Sequence, residues 1–356
     1  MDLPAEVADA PQLNATMWTR SGFLGANAVT LQPGYAPDYI SVDGPHAPRR
    51  LSTDEIETAD RTDPSALPTL LLESRTGVQV SLTRRAAPMP FAMRNVECDE
   101  LFFIQSGEAR FETEFGVIDA AEDDFVFLPR SVAYRVVPLS SVFSAILLEN
   151  PEPLAFDTPA PFGMINQSMD VRRPAFDRSK NGGTPKDGAG YLLLLKSRDG
   201  ITRFLKPSDP LETAAHVGGE TPVWALSLRA IQPISYGGLG GPPAHFLASA
   251  QKSTLVFSLS SRASTMRPPV HHNADYDEII FYARGPGAWG AVNEPGTIVI
   301  VPKGVTHHGP SENVPEGYFA WLVETGATMR FTPDILPQAK PMETGMYGIH
   351  PSAAGG

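Results

Sequence analysis

Short apolar runs separated by turn-forming residues dominate this chain. Nine of these runs have the length and the β-branched or aromatic content of strands, at 101–104, 125–129, 143–149, 191–196, 223–228, 254–259, 278–283, 297–302 and 319–324. Apart from a short candidate helix at 54–61, the pattern contains no long amphipathic helical stripe. It therefore predicts an all-β protein built as a sandwich or a barrel.

Composition supports this interpretation and suggests two domains. The chain holds 35 prolines and 31 glycines in 356 residues, and a proline inside a helix costs about 3 kcal/mol. Single hydrophobic cores rarely grow beyond about 250–300 residues. A chain of this length is therefore expected to divide into two domains.

Charge and cysteine content exclude several classes of function. There are 28 Lys and Arg against 40 Asp and Glu, a net charge of -12, which argues against binding the phosphate backbone of a nucleic acid. The single cysteine, Cys98, excludes a disulfide framework and a cysteine-based zinc site. Because no signal peptide pattern and no membrane-spanning apolar run are visible, we expect a cytoplasmic protein with no membrane partner.

The chain contains an internal repeat. Residues 93–107, MRNVECDELFFIQSG, align without gaps with residues 271–285, HHNADYDEIIFYARG. Residues 123–134, DDFVFLPRSVAY, align in the same way with residues 296–307, GTIVIVPKGVTH. Two copies of one supersecondary unit, separated by about half the chain, indicate a duplicated architecture.

The second copy has the spacing of the cupin signature. The matching positions are His271, Asn273, Glu278, Gly285, Gly296, Pro302, Gly304 and His307. The prediction is therefore a bicupin, with two jelly-roll barrels. Its expected parts are an N-terminal arm (1–65), a metal-free cupin domain (66–150), a linker (151–190), a metal-binding cupin domain (191–325) and an irregular C-terminal tail (326–356).

Two imidazoles and one carboxylate in a barrel interior can hold a divalent metal and leave positions open for substrate and oxygen. Motif counting selects His271 and His307 as the imidazole ligands, with Glu278 as the carboxylate. Each histidine belongs to a doublet, and a one-residue bulge would exchange the ligand for its neighbour, His272 or His308.

Further residues beside these motifs are candidates for supporting the ligands or facing the substrate: His272, Asn273, Tyr276 and Arg267. Tyr282 and Trp289 could also contact an aromatic acid, although single aromatic residues more often serve packing. The first copy carries Met93 and Tyr134 where the second has its histidines, and Glu100 stands alone. One carboxylate cannot hold a metal, so we expect the first copy to be metal-free.

The runs RPPVHHNADYDEIIFYARG (267–285) and EPGTIVIVPKGVTHHGP (294–310) resemble homogentisate 1,2-dioxygenase, especially its shorter bacterial forms. Residues 94–116 and 127–136 resemble the metal-free half of that family. The resemblance implies one Fe(II) held by His271, Glu278 and His307, which cleaves an aromatic ring with O2. It also implies a homo-oligomer, a trimer or a hexamer.

Three departures from the family pattern leave open which aromatic acid is the substrate and which residue is the catalytic base. His308 separates His307 from the family's Gly-Pro, so His308 remains a rival ligand. A base-like family histidine aligns with Leu239, and His308 or His245 would have to replace it unless the substrate needs no base. Another family histidine aligns with Val301. Substrates resembling homogentisate, gentisate or salicylate therefore remain open.

Two other functions compete with the dioxygenase. One is a redox-neutral bicupin isomerase, decarboxylase or lyase that uses Zn or Mn as a Lewis acid. The other is a non-catalytic bicupin that binds a small ligand. A donor set of nitrogen and oxygen without thiolate does not by itself distinguish Fe from Mn or Zn.

Overall fold

The short apolar runs of the chain form strands, and many of these strands are buried along their whole length. The computed structural model describes residues 13–20, 22, 25–157, 165–176, 182–213, 218–232, 245–260, 270–284, 296–308 and 319–342. All nine predicted strands are present within two residues of their expected bounds. The only α-helix among the described residues is one turn, α1 (Gln167–Asp170).

The strands of the described residues, in chain order, are β1 (Asn14–Thr19), β2 (Asn27–Gln32), β3 (Arg49–Ser52), β4 (Thr69–Ser74), β5 (Gln79–Arg85), β6 (Ala92–Asn95), β7 (Asp99–Ser106), β8 (Glu108–Thr113), β9 (Gly116–Ala121), β10 (Asp124–Leu128), β11 (Tyr134–Pro138), β12 (Phe143–Asn150), β13 (Leu154–Phe156), β14 (Lys186–Asp187), β15 (Gly190–Ser197), β16 (Gly200–Lys206), β17 (Trp224–Ser227), β18 (His245–Ser249), β19 (Thr254–Ser260), β20 (His271–Asn273), β21 (Asp277–Arg284), β22 (Thr297–Val301), β23 (Phe319–Thr325), β24 (Met329–Phe331) and β25 (Lys340–Pro341).

The expected short helix at 54–61 is wrong in its form. Two 3-10 turns, Thr53–Glu55 and Ala59–Arg61, take its place. Ile56 between them is extended, with φ -94° and ψ 122°, and this conformation interrupts the helix. A third 3-10 turn covers Leu228–Ala230.

Four sheets form two halves. In the first half, a sheet of order β17-β10-β7-β12-β5-β4-β24 packs against a sheet of order β14-β15-β6-β11-β8-β9, with β16 added to β15. In the second half, the large sheet has the order β13-β18-β19-β23-β21-β22-β3-β25 and the small one the order β2-β1-β20. Both halves carry one copy of the repeat, so the all-β bicupin prediction is confirmed.

Strand alternation assigns side chains to three cores. On β7, Phe102 and Ile104 face the inside of the first half. On β21, Ile280 and Tyr282 face the inside of the second half. The intervening residues, Phe103 among them, form a large core where the two halves pack together.

Trp321 lies at the centre of the core between the halves. Its ring stacks on Phe281, with centroids 4.0 Å apart. It also contacts Phe103 and Phe125 of the first half, at 5.4 and 5.3 Å. These contacts join the two repeats through aromatic packing.

Sheet pairing crosses the expected division of the chain. Strand β3 of the N-terminal arm pairs with β22 in the second half, and β24 of the tail pairs with β4 in the first half. Strands β15 and β17, from the segment expected in the second domain, pair with β6 and β10 of the first half. The division into folding domains remains a prediction. None of the helices within the described ranges is long and apolar enough to cross a membrane.

Trp321→Ala should lower the free energy of unfolding by about 3–5 kcal/mol, because truncating a fully buried aromatic ring leaves a cavity. Urea unfolding followed by circular dichroism measures this change. Trp321→Phe is the matched control and should lose less, since it keeps an aromatic ring against Phe281. A loss of under about 1 kcal/mol for Trp321→Ala would contradict a central role for this side chain.

Candidate metal centre

Strand β20 brings one histidine of the second copy to the barrel interior. His271 and Asn273 are buried, whereas His272 between them is half-buried, as strand alternation requires. The backbone N–H of His271 donates to the carbonyl of His307, and His307 N–H donates back to the carbonyl of His271, both at 2.8 Å. This reciprocal pair holds the two imidazole rings with their centroids 4.3 Å apart.

Glu278, near the start of β21, completes the group. Its Oε2 lies 2.9 Å from His307 Nε2. His307 Nδ1 lies 3.0 Å from the carbonyl oxygen of Val305 and donates to it. A backbone partner on Nδ1 fixes the ring and directs Nε2 toward the carboxylate, as is usual for metal-ligating histidines.

The three side chains fit a divalent metal. One ligand atom from each of His271, Glu278 and His307 lies within 4.8 Å of the others, and all three residues are buried. Two ligands at about 2.1 Å from a metal and at right angles to each other are about 3 Å apart. The Glu278–His307 separation matches that value. Two nitrogens and one carboxylate on one side of the site are the donors of non-haem Fe(II) oxygenases.

Electrostatics couple the carboxylate to the imidazoles. Burial alone would raise the pKa of Glu278, but the neighbouring His307 and His271 lower it below its usual range. Burial opposes the charged form of His307, yet Glu278 raises the pKa of this imidazole. The pair therefore favours a positive charge beside Glu278, and a metal cation binding there would displace the proton.

The other residues of the two doublets lie beside this cluster. His308 is buried and its ring centroid lies 6.1 Å from that of Tyr35, in the N-terminal segment. The carbonyl oxygen of His272 accepts a hydrogen bond from Thr19 Oγ1 at 3.3 Å. The cluster of three potential ligands contains His271 and His307 but neither neighbour.

Two of the predicted supporting residues, Asn273 and Tyr276, have defined hydrogen-bond partners. Asn273 Oδ1 accepts a hydrogen bond from Thr19 Oγ1 at 3.0 Å, which orients the amide. The Tyr276 hydroxyl donates to the carbonyl of Lys252 at 2.5 Å, so it anchors a turn. Arg267, like Trp289 and Leu239, lies outside the described residues.

His245 and Val301 lie on strands of the second half. His245, on β18, packs its ring against Phe257 at 5.6 Å, and its Nε2 lies 3.0 Å from Asp157 Oδ2. Burial lowers the pKa of His245, and Asp157 only partly offsets this effect. Val301 is buried and pairs across the sheet with Glu278. Its side chain therefore contributes packing where the family has a histidine.

In the first half, Met93 and Tyr134 pair across the sheet as His271 and His307 do in the second. Hydrogen bonding links the Tyr134 hydroxyl to Glu100 in place of the imidazole–carboxylate contact. Within the described ranges, His271, Glu278 and His307 form the only cluster of three potential ligands.

Sequence reasoning missed a second buried carboxylate in each half. Glu149 lies directly across from Glu100 on the adjacent strand, and Glu324 lies across from Glu278. In the first half, Lys196 Nζ donates to both oxygens of Glu149, at 2.6 and 2.7 Å. The matching strand ends LLEN (147–150) and LVET (322–325) carried this signal in the sequence.

One cation, Lys196, lies close enough to offset the negative charge of Glu100 and Glu149. Burial, together with the charge of Glu149, raises the pKa of Glu100 to about 8, and Lys196 only partly opposes this. Near neutral pH, Glu100 therefore holds a proton while Glu149 pairs with Lys196. Burial also raises the pKa of the nearby Cys98 thiol to about 12, so it is unreactive at that pH.

An aspartate shared by the two copies of the repeat positions the turn that carries His307. Asp277 accepts hydrogen bonds from the N–H groups of Lys303, at 3.0 Å, and Met329, at 2.8 Å. Asp99 accepts two backbone hydrogen bonds at the equivalent turn of the first half. The aspartate aligned by the repeat is thus a structural residue in both copies.

Comparison with known proteins supports the expected resemblance. A Saccharolobus solfataricus protein named "Putative dioxygenase" is 26% identical over 203 residues, covering 54% of this chain and 51% of the relative. Homogentisate 1,2-dioxygenase of Nitrobacter hamburgensis is 27% identical over 194 residues, covering 50% of this chain and 42% of the relative. The resemblance to this family is therefore confirmed. The chain spans about half the length of the curated relatives it matches, and no family model matches it.

Distant likeness to solved cupin structures concerns the fold alone. A mutant of Bacillus subtilis oxalate decarboxylase covers 83% of this chain and 80% of its own, with 12% identity and a TM-score of 0.43. The Escherichia coli protein Ylba covers 83% and 94%, with 8% identity and a TM-score of 0.42. The fold assignment above comes from the sheets and the repeat of this chain itself.

Glu100→Gln should flatten the pH dependence of stability. The raised pKa of Glu100 contributes stability that is complete below the unfolded value of 4.5 and is lost as pH rises through about 8. A glutamine, which cannot ionise, removes this loss. The melting temperature of the variant should therefore fall less between pH 5 and pH 8 than that of the parent protein.

Glu149→Gln is the control for that experiment. It leaves the half-buried Lys196 without its carboxylate and should destabilise the protein across this pH range, by about 1–3 kcal/mol. Identical pH profiles for Glu100→Gln and the parent protein would show that Glu100 is ionised in the folded state.

His271→Ala, Glu278→Ala and His307→Ala should each abolish stoichiometric metal binding, because each removes one of three ligands. Metal content after anaerobic loading with Fe(II) and desalting measures this. Glu100→Gln, the equivalent position in the first half, is the matched control and should keep its metal.

His308→Ala should also retain metal, because His307 occupies the cluster. The opposite result, with metal kept by His307→Ala and lost by His308→Ala, would move the ligand by one residue. Retention of full iron by both the His271 and the Glu278 variants would contradict the site as a whole.

Proposed function

We propose that the protein is an Fe(II)-dependent dioxygenase that cleaves the ring of a hydroquinone-like or hydroxylated aromatic acid with O2. The observation that carries this proposal is the buried cluster of His271, Glu278 and His307 on the second copy of the repeat. Substrates that resemble homogentisate, gentisate or salicylate are all compatible with it.

The donor set and the relatives together favour iron. Imidazole and carboxylate ligands accept Fe, Mn and Zn, so the geometry alone is compatible with a redox-neutral enzyme. Relatives named as dioxygenases, including homogentisate 1,2-dioxygenase, favour the oxygen-dependent chemistry. When bound, Fe(II) would supply a redox-active centre that brings an electron-rich ring and O2 together.

The chain itself would hold the metal, exclude water and position the ring. Val305 orients the His307 imidazole through its carbonyl, and β1 of the N-terminal arm pairs along β20 beside His271. Tyr35 packs against His308 and helps to close this side of the site. Such burial strengthens the electrostatic interactions within the site.

Two histidines are candidates for accepting a proton from a substrate hydroxyl. His308 follows ligand His307 directly and is buried beside it. His245 is kept neutral by burial, and Asp157 orients its ring through Nε2. A neutral imidazole is the form required of a general base. His308 is adjacent to the cluster and His245 lies on a more distant strand of the sheet, so we assign the role to His308 first.

We also propose that the protein forms a homo-oligomer, a trimer or a hexamer as in the resembling family. Every residue of β16 is exposed, and β16 lies at an edge of its sheet. Ile201, Phe204 and Leu205 on this strand are 39%, 43% and 58% exposed. An exposed edge strand with apolar side chains is a typical subunit contact.

Oxygen uptake tests the activity directly. Protein loaded anaerobically with Fe(II) should consume O2 when given one of homogentisate, gentisate, hydroquinone or substituted salicylates, and should form a ring-opened chromophore. His271→Ala, which lacks a ligand, is the matched control and should show neither signal.

Other outcomes would favour a different function. Turnover of a substrate that persists without O2 would indicate a redox-neutral isomerase, decarboxylase or lyase. Stoichiometric iron with no oxygen uptake on any of these aromatic acids would contradict the proposed dioxygenase and favour a ligand-binding bicupin.

A further inference from the structure

The two halves bury the same pair of carboxylates but surround it differently. Glu100 faces Glu149 across adjacent strands, and Glu278 faces Glu324 at the equivalent register. Cross-strand neighbours lie on the same face of a sheet, so both members of each pair point into the barrel of their half. All four residues are buried.

In the first half, a lysine compensates this pair. Strand β15 runs parallel to β6, with Lys196 in register with Asn95. The ammonium of Lys196 contacts Glu149, and the amide of Asn95 donates to the same carboxylate at 2.6 Å. A charge-assisted network thus satisfies the buried carboxylate of Glu149.

In the second half, β1 takes the place that β15 has in the first, and it carries a neutral residue where β15 carries Lys196. Strand β1 runs parallel to β20, with Thr19 in register with Asn273. Thr19 is fully buried, and its hydroxyl donates to Asn273 Oδ1 at 3.0 Å. Threonine is short and neutral, so it places no positive charge beside Glu324.

Glu324 is buried with an unsatisfied oxygen. It is 4% exposed, and its Oε2 has no hydrogen-bond partner within the described part of the chain. Gly22 of the N-terminal arm closes over it so tightly that a Cβ at this position would overlap Oε2. A buried carboxylate oxygen without a partner is costly unless a cation or a donor reaches it.

We propose that the second half needs a neutral residue at this register in order to bind its metal. Lys196 places its ammonium on Glu149 in the first half, whereas Thr19 leaves Glu324 to support the metal ion beside Glu278. Glu324 acts through a bound water, as a positioning residue for the metal. The inference rests on the proposed metal centre and adds to it a second carboxylate and a determinant on the N-terminal arm.

Thr19→Lys tests the determinant. By the register equivalence with Lys196, the new ammonium reaches Glu324 and competes with the metal. Affinity for Fe(II), measured by anaerobic equilibrium dialysis with metal analysis, should fall about 10–100-fold, the range seen when groups that support metal ligands are altered. Thr19→Met is the matched control, similar in length but uncharged, and should keep an affinity near that of the parent protein.

Glu324→Gln tests the second carboxylate and does not depend on Thr19→Lys folding. It keeps the size of the side chain but removes its charge, and should also weaken Fe(II) binding about 10–100-fold. Circular dichroism and the melting temperature of the metal-free proteins establish that each variant is folded.

Unchanged affinity in folded Glu324→Gln would overturn the role of this carboxylate. Equal losses in Thr19→Met and Thr19→Lys would overturn the charge argument, because bulk alone would then explain them. Metal binding is measured without substrate, so these results are independent of turnover. A protein that binds Fe(II) as expected but consumes no O2 would contradict the dioxygenase and leave this inference standing.

Discussion

Each half of the chain buries two carboxylates side by side on adjacent strands, and much of the structure follows from that constraint. Two neighbouring negative charges in a barrel interior are tolerated only with a proton, a cation or several donors close by. In the first half, Glu100 keeps a proton and Lys196 neutralises Glu149. In the second, histidines stand beside Glu278. The two carboxylate pairs occupy equivalent scaffold positions, and the imidazoles beside Glu278 are the further ligands that the second half offers a metal.

The two copies therefore differ in a coordinated way. Met93 and Tyr134 stand where the second copy has two imidazole ligands, and the phenol of Tyr134 hydrogen-bonds to Glu100. Such a half lacks the imidazole ligands of the second copy, and Lys196 offsets its second carboxylate from a neighbouring strand. The aspartates of the repeat, Asp99 and Asp277, have the same role in both copies, because each accepts a backbone hydrogen bond from the turn within the second motif. The two copies share these cross-strand pairings, whereas the side chains that fill their interiors differ.

Local patterns in the sequence predicted the local features. The nine strands have strong apolar character, and the repeat spacing brought His271, Glu278 and His307 into one group. The features that the sequence did not predict all depend on pairing between segments that are far apart in the chain. Nothing near Thr19 indicates that it lies beside Asn273, and nothing near Lys196 indicates that it faces Glu149. The exchange of strands β3 and β24 between the halves is hidden for the same reason.

The arm makes the site depend on contacts of very long range. Thr19 and Asn273 are 254 positions apart in the chain, and Arg20 bonds to Asp275 over a similar separation. Strand β20 has only three residues, and β1 is its sheet neighbour. Docking of the arm therefore supports the conformation in which His271 faces Glu278. Consider a ligand that binds only this conformation. Docking of the arm then makes ligand binding more favourable, and by linkage the ligand stabilises the docked arm by the same free energy. Metal binding at His271 and docking of β1 against β20 are thus expected to favour each other.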